Sequence, residues 1–272
     1  MKKFVCLICT FIMVVCVSCS QSGPLGGEES SERDSLLLGT IEEESELSEL
    51  ELFLRVVKLA EEAQSFYTVT EGRVETLGII QEIRAERYVS GDKMFKQSVS
   101  CSAFVKVATQ VLVANGKYLI REGKKISGVN QVEWDDFAID VGQTEYLNRY
   151  GSVTLGLNNY LLTEQTVTSI SLVKQNDYRF TVTLDADTAT KNIAKEMKTN
   201  AGSKEEPSFA SIKMTVETDD SLQVVSVRYE SVYTVKVAFL GEVECSEDMT
   251  ESYYAFGEEL EFPESEFFDR YV

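Results

Sequence analysis

From Ser65 onward, runs of β-forming residues alternate apolar and polar positions at a period of two, and turn signals only a few residues long separate them. Parallel strands need crossovers of a dozen or more residues, whereas a short turn can join only antiparallel neighbours. Phe66 to Thr76, Ile79 to Val89, Met94 to Ser100, Phe104 to Val113 and Tyr118 to Arg121 read as strands. Ser90-Gly91-Asp92, Ala114-Asn115-Gly116 and Glu122-Gly123-Lys124 read as hairpin turns between them. Consecutive hairpins predict an antiparallel meander.

Between Asp135 and Leu162 the alternation lapses, and Thr144 to Tyr150 and Leu157 to Leu162 read as short helical pieces. A second β run follows: Val167 to Lys174, the turn Gln175-Asn176-Asp177, and Tyr178 to Leu184. Ala186 to Ala201 then reads as a helix capped by Asp185 or Asp187, with Ile193, Ala194 and Met197 on one face. Phe209 to Thr218 and Leu222 to Val237 meet at Asp219-Asp220-Ser221, and Val243 to Tyr254 is the last strand before an acidic, aromatic tail. Upstream, Leu50, Phe53, Leu54, Val57 and Ala60 fall at helical spacing from Glu49, with charged residues between them. Helix, meander, helical insert, hairpin, helix and hairpin make an α+β pattern, so residues 49–272 are expected to form one domain.

The N-terminus places that domain. Met1-Lys2-Lys3 followed by an uncharged, largely apolar run from Phe4 to Val17 has the layout of a secretory signal peptide, residues 1–18, and the run is too short for a permanent span. Cys16-Val17-Ser18-Cys19 resembles the bacterial lipobox, with Cys16 standing where leucine is usual. That resemblance implies a lipid on Cys19, which would hold the chain at the outer face of the cell membrane. Residues 19–48, rich in Gly, Ser and Glu, then form an extended acidic tether. Four of the six cysteines lie in the signal region, leaving Cys101 and Cys245. In an oxidising exterior these two either pair, closing a long loop for ~4–5 kcal/mol, or remain separate buried thiols.

The order of elements and several local phrases carry a wider resemblance. Arg87-Tyr88-Val89-Ser90-Gly91-Asp92-Lys93-Met94-Phe95, Val113-Ala114-Asn115-Gly116-Lys117-Tyr118, and Ile170 to Leu184 followed by a helix resemble the LolA/LppX-like lipoprotein-carrier superfamily. They are closer still to the small Gram-positive lipoproteins related to it. The resemblance covers 49–272 and implies a half-barrel: a strongly curved antiparallel sheet whose concave face is covered by helices and holds acyl chains. The helices from Glu49 and Ala186 would be its lids, and no ligand-binding residue carries over by motif.

Composition narrows the chemistry. A net charge of −19 repels polyanions, which excludes nucleic acid as a partner and leaves membrane attachment to the anchor. With no histidine in the chain, Ser-His and Cys-His nucleophile systems are absent, and the Cys and His ligands of a zinc site are lacking. Carboxylates are numerous enough to supply a glycosidase pair, but most read as tether or solvated surface. Asp135-Asp136, Asp185-Ala186-Asp187 and Asp219-Asp220 lack EF-hand spacing and read as turns and caps. Trp134 reads as a core or edge aromatic, and Tyr253-Tyr254 and Phe267-Phe268 as cavity-rim or packing residues. No catalytic residue, cofactor or metal is expected. The resulting expectation is a non-enzymatic lipoprotein that holds a lipid-like or other apolar ligand. The rival is an envelope interaction protein with a filled core and no ligand cavity.

Overall fold

A computed structural model describes residues 47–103, 106–150, 160–175, 177–200, 205–237, 241–257, 260–263 and 265–271. The signal segment, Cys19 and nearly all of the tether lie outside the described residues. The chain enters through helix α1 (Glu49–Glu62), which Ser48 starts with a capping box: Glu51 N donates to Ser48 Oγ at 3.3 Å and Ser48 N donates to Glu51 Oε2 at 2.8 Å. The buried stripe is Leu52, Phe53, Val56, Val57 and Ala60, rotated slightly from the expected one, so Leu50 and Leu54 sit at its margin. Burying these side chains contributes on the order of 1.5–3 kcal/mol for each large one.

The strands are β1 (Ser65–Thr76), β2 (Ile79–Ser90), β3 (Lys93–Cys101), β4 (Lys106–Ala114), β5 (Lys117–Gly128), β6 (Gln131–Trp134), β7 (Ile139–Asp140), β8 (Val167–Lys174), β9 (Tyr178–Leu184), β10 (Ser208–Thr218), β11 (Val224–Val237) and β12 (Gly241–Tyr254). They form one 12-stranded antiparallel sheet in the order β6-β5-β4-β3-β2-β1-β12-β11-β10-β9-β8, with β7 beside β5. Pairing of β1 with β12, from Tyr67↔Tyr254 to Thr76↔Cys245, joins the two meanders. β6 and β8 are opposite ends of that order, so the curved sheet does not close. This is the α+β half-barrel expected from the sequence.

The remaining helices are α2 (Gly142–Tyr150), α3 (Ala186–Ala189), α4 (Lys191–Asn200) and α5 (Ser265–Phe268). The first four helices cover the concave face: Phe53 of α1 meets Phe180 at 5.7 Å, Tyr146 of α2 meets Tyr118 at 5.1 Å, and Ile193, Ala194 and Met197 of α4 join the same core. α3 and α4 were expected as one helix. They part at Thr190, whose hydroxyl donates back to Ala186 O. Tyr160 to Leu162 are not helical, and the rest of the second expected piece lies outside the described residues.

Glu122-Gly123-Lys124 is not a turn: β5 runs through it with a register shift, and β6, unforeseen, pairs with the extension. A Cβ on Gly123 would stand 2.7 Å from the Ala108 Cβ, so glycine serves close packing there. The β1–β2 turn, by contrast, puts Leu77 and Gly78 at φ 53° and 74°.

A second, smaller core lies on the convex face. Tyr254, Tyr67, Tyr88, Phe95, Leu112 and Leu119 are successive cross-strand partners from β12 to β5. Tyr67 and Tyr88 stack at 4.3 Å. The C-terminal segment folds back over this row, burying Phe268 beside Phe95 and placing Phe267 3.7 Å beneath the Arg121 guanidinium. Phe267 and Phe268 therefore pack on the convex side and do not rim the concave face.

Candidate functional site

Strand alternation sends every second residue to the concave face. On β12 that phase is Val243, Cys245, Glu247, Met249, Glu251 and Tyr253; on β3 it includes Met94 and Lys96; on β2 it includes Gln81, Ile83, Ala85, Arg87 and Val89. The concave wall is otherwise largely apolar, with Met94, Val111, Phe180, Val182, Met214 and Val227 all buried, and Thr68, Thr76, Ser100 and Ser231 add buried hydroxyls. Five polar side chains, Gln81, Arg87, Lys96, Glu247 and Glu251, are thus held in surroundings where an unanswered polar group is costly.

Arg87 and Glu251 answer each other, with Nη2 to Oε1 at 2.9 Å. Tyr229 and Tyr253 hydroxyls donate to Glu251 Oε2 at 2.9 and 3.0 Å, and the guanidinium also lies 5.3 Å from the Phe66 ring centroid. Burial, then the Glu251 charge, raises both phenols well above their ordinary range and keeps them as donors.

Glu247 has no cation beside it among the described residues; Ser231 Oγ donates to its Oε2 at 3.0 Å. Burial pushes its carboxyl up to about 7, with the Ser231 hydrogen bond opposing the rise. Across Val74 from it, Gln81 donates through Nε2 to Ser100 Oγ, and its Oε1 is buried with no donor among the described residues.

Lys96 is 7% exposed. Its cross-strand partners are Arg87 on β2 and Val111 on β4. Among the described residues it has neither ion pair nor hydrogen-bond partner, while the neighbouring Arg87 is held by Glu251.

Cys101 and Cys245 are both free thiols. They sit on β3 and β12, with β2 and β1 between, at least about 14 Å apart at the usual strand spacing. Cys245 shares the concave phase of Val74, and Cys101 pairs with Glu82 in the opposite phase, so their Cβ vectors point to opposite faces. A disulfide needs Cα atoms within about 7 Å; the two remain separate. Thr76 Oγ1 donates to Cys245 Sγ at 3.1 Å, and burial raises that thiol above its ordinary value.

Trp134 stands on edge strand β6. Asp185 caps α3 by accepting from Thr188 N at 2.8 Å, and Asp219 Oδ1 accepts from Ser221 N and Gln223 N at 2.9 Å in the β10–β11 turn. Sequence reasoning passed over the inward polar residues, although for two of them the signal was present: Glu247 and Glu251 occupy the apolar phase of the otherwise alternating β12, whereas β3 does not alternate and gives no such signal for Lys96.

No family model matches the chain, and no curated protein does. Among solved structures it is similar to a LolA superfamily protein from Nitrosomonas europaea, at 9% identity and a TM-score of 0.25, covering 80% of this chain and 98% of that one. It is also similar to a DUF1329 family protein from Desulfovibrio piger, at 10% identity and a TM-score of 0.26, covering 80% and 95%.

Proposed function

We propose that this chain is a lipoprotein anchored through Cys19 at the outer face of the cell membrane, where its half-barrel holds an amphiphilic, lipid-like ligand without transforming it. The supporting observation is the concave face itself. A largely apolar wall with a few convergent polar side chains is the usual make-up of a small-molecule site, and Gln81 Oε1 is a buried polar atom on that wall with no partner among the described residues. Short separate helices cover the wall, so one can shift without unzipping the sheet. Each acyl CH₂ buried there would contribute ~0.8 kcal/mol.

Hydrolysis is a poorer fit to the same residues. Glu247 and Glu251 stand on one strand and one face, with Cα atoms about 13 Å apart, whereas glycosidase carboxylates face each other at ~5–9.5 Å. Glu251 is also committed to Arg87.

Native mass spectrometry of the exported chain, followed by organic extraction, tests the reading. A reproducible co-purifying mass that extracts as lipid is the expected result. A bare protein mass that stays unchanged after incubation with membrane lipids would overturn it in favour of an envelope interaction protein with a filled core.

A further inference from the structure

Val74 on β1 is the cross-strand partner of both Gln81 on β2 and Glu247 on β12, and all three buried side chains share the concave phase. At two strand spacings the Gln81 and Glu247 Cα atoms are about 10 Å apart, and concave curvature tips the two long side chains toward each other over the valine. Each is held by a hydroxyl: Gln81 Nε2 donates to Ser100 Oγ, and Ser231 Oγ donates to Glu247 Oε2 at 3.0 Å. The Gln81 amide oxygen is left buried with no donor among the described residues. An amide oxygen and a carboxylate are both acceptors, so the locus lacks one donor, and a carboxyl proton supplies it.

The same locus reaches the cover of the concave face. Tyr160 is buried, its ring meets Phe209 at 6.5 Å, and the next amide, Leu161 N, donates to Ala189 O of α3 at 3.0 Å. Burial, then the Glu247 charge, raises the Tyr160 phenol, and a hydrogen bond with Ser231 opposes the rise. Ser231 therefore links Glu247 to residues 160–166. Burial also raises the Cys245 thiol, so neither of these neighbours ionises near neutral pH. Glu251 is engaged by Arg87, and Lys96 lies three strands away in the row of Tyr253; no cation faces Glu247 among the described residues.

We propose that Glu247 and Gln81 form a proton-operated latch of the concave face. Protonated, the carboxyl donates to Gln81 Oε1, directly or through one water, and ties β12 to β2 over Val74. Deprotonated, it leaves two acceptors and a charge that burial opposes, so water must enter the wall. The link through Ser231 and Tyr160 carries that disturbance to residues 160–166 and α3. With the folded carboxyl raised to about 7, the face is closed on the acid side of neutrality and loosens as pH rises toward that value. The latch belongs to the free chain and does not rest on the ligand-binding reading; with that reading, it couples ligand exchange to pH.

Hydrogen exchange of the full lipidated chain in phosphatidylcholine nanodiscs, read by mass spectrometry and corrected for the pH dependence of intrinsic exchange, tests the latch. The opening constant of peptides covering residues 160–166 and β12 is expected to rise more than tenfold from pH 5 to pH 7 and then level off, because the closed state binds the proton more tightly than the open one. Glu247→Gln keeps a donor at every pH, so its opening constant should stay low and constant over this range. Gln81→Leu separates the latch from a merely buried acid: at pH 5 it should raise opening about fivefold, the worth of one ordinary hydrogen bond, and by less in the Glu247→Leu background. Native opening that is flat with pH, or that falls as a turned Gln81 amide donating to the carboxylate would make it, overturns the proposal. So does an equal rise in Glu247→Gln, or a Gln81→Leu factor that is the same in both backgrounds.

Discussion

Arg87 on β2 and Glu251 on β12 form an ion pair across the intervening strand β1, with Nη2 and Oε1 2.9 Å apart. Their Cα partners on β1 are Thr68 and Thr70, so the pair runs diagonally and ties the first meander to the second on the concave side. Removing one partner would strand the other charge in the core.

Arg87→Met or Glu251→Gln alone is therefore expected to cost about 3–5 kcal/mol of stability. The double variant should recover a large part of that loss. A double-mutant cycle by urea denaturation checks this, and additive losses would mean that the pair does not act as a unit.

Glu247 gives the stability a defined pH dependence. Its folded carboxyl is raised to about 7 from an ordinary value of 4.5. Below 4.5 it is protonated in both states and carries no penalty. As pH rises to about 7 the unfolded chain ionises first, so this residue's contribution becomes unfavourable by up to about 3 kcal/mol and then levels off. Glu247→Gln should accordingly raise the midpoint of thermal unfolding at pH 8 and change it little at pH 4.5. An equal effect at both pH values would contradict the assignment.

Leu77 occupies the first central position of the β1–β2 turn at φ 53° and is 59% exposed, so it pays steric strain and contributes little packing. Leu77→Asn suits the left-handed conformation required before Gly78. The expected gain is about 0.5–1 kcal/mol, read from the shift in denaturation midpoint with an unchanged slope.

Gly72 lies where β1 and β12 pinch together, and a Cβ there would meet the Asp248 carbonyl and stand 2.6 Å from Met249 Sδ. Gly72→Ala should separate these strands and cost about 2 kcal/mol or more. Gly128, with open space around its Cβ position, is the control: Gly128→Ala should be close to neutral. Comparable losses at both positions would refute the close-approach argument.

Local patterns specified much of this protein directly. Period-two alternation and Gly-containing turns place most strands within a residue or two, since a hairpin is settled by neighbours in sequence. The apolar stripe from Glu49 and the Ser48 capping box define α1 on the same grounds. Where a local signal had two readings, packing decided: Gly123 could mark a turn or a close approach, and the Ala108 side chain, supplied by another strand, makes it the latter.

The site was legible only in part. Glu247 and Glu251 were visible as charges in an apolar phase, but alternation cannot say which face of a strand becomes concave, or that β12 inserts beside β1. That insertion brings Glu251 to Arg87 and sets Cys101 and Cys245 on opposite faces, so it determines the chemistry of the site. The sequence by itself determined the alternation, the turns and the sign of the surface, because these depend on residues close in the chain. Which charges meet and which remain alone was decided by the tertiary structure, because the partners are 164 residues apart and only the closed register of β1 against β12 brings them within reach.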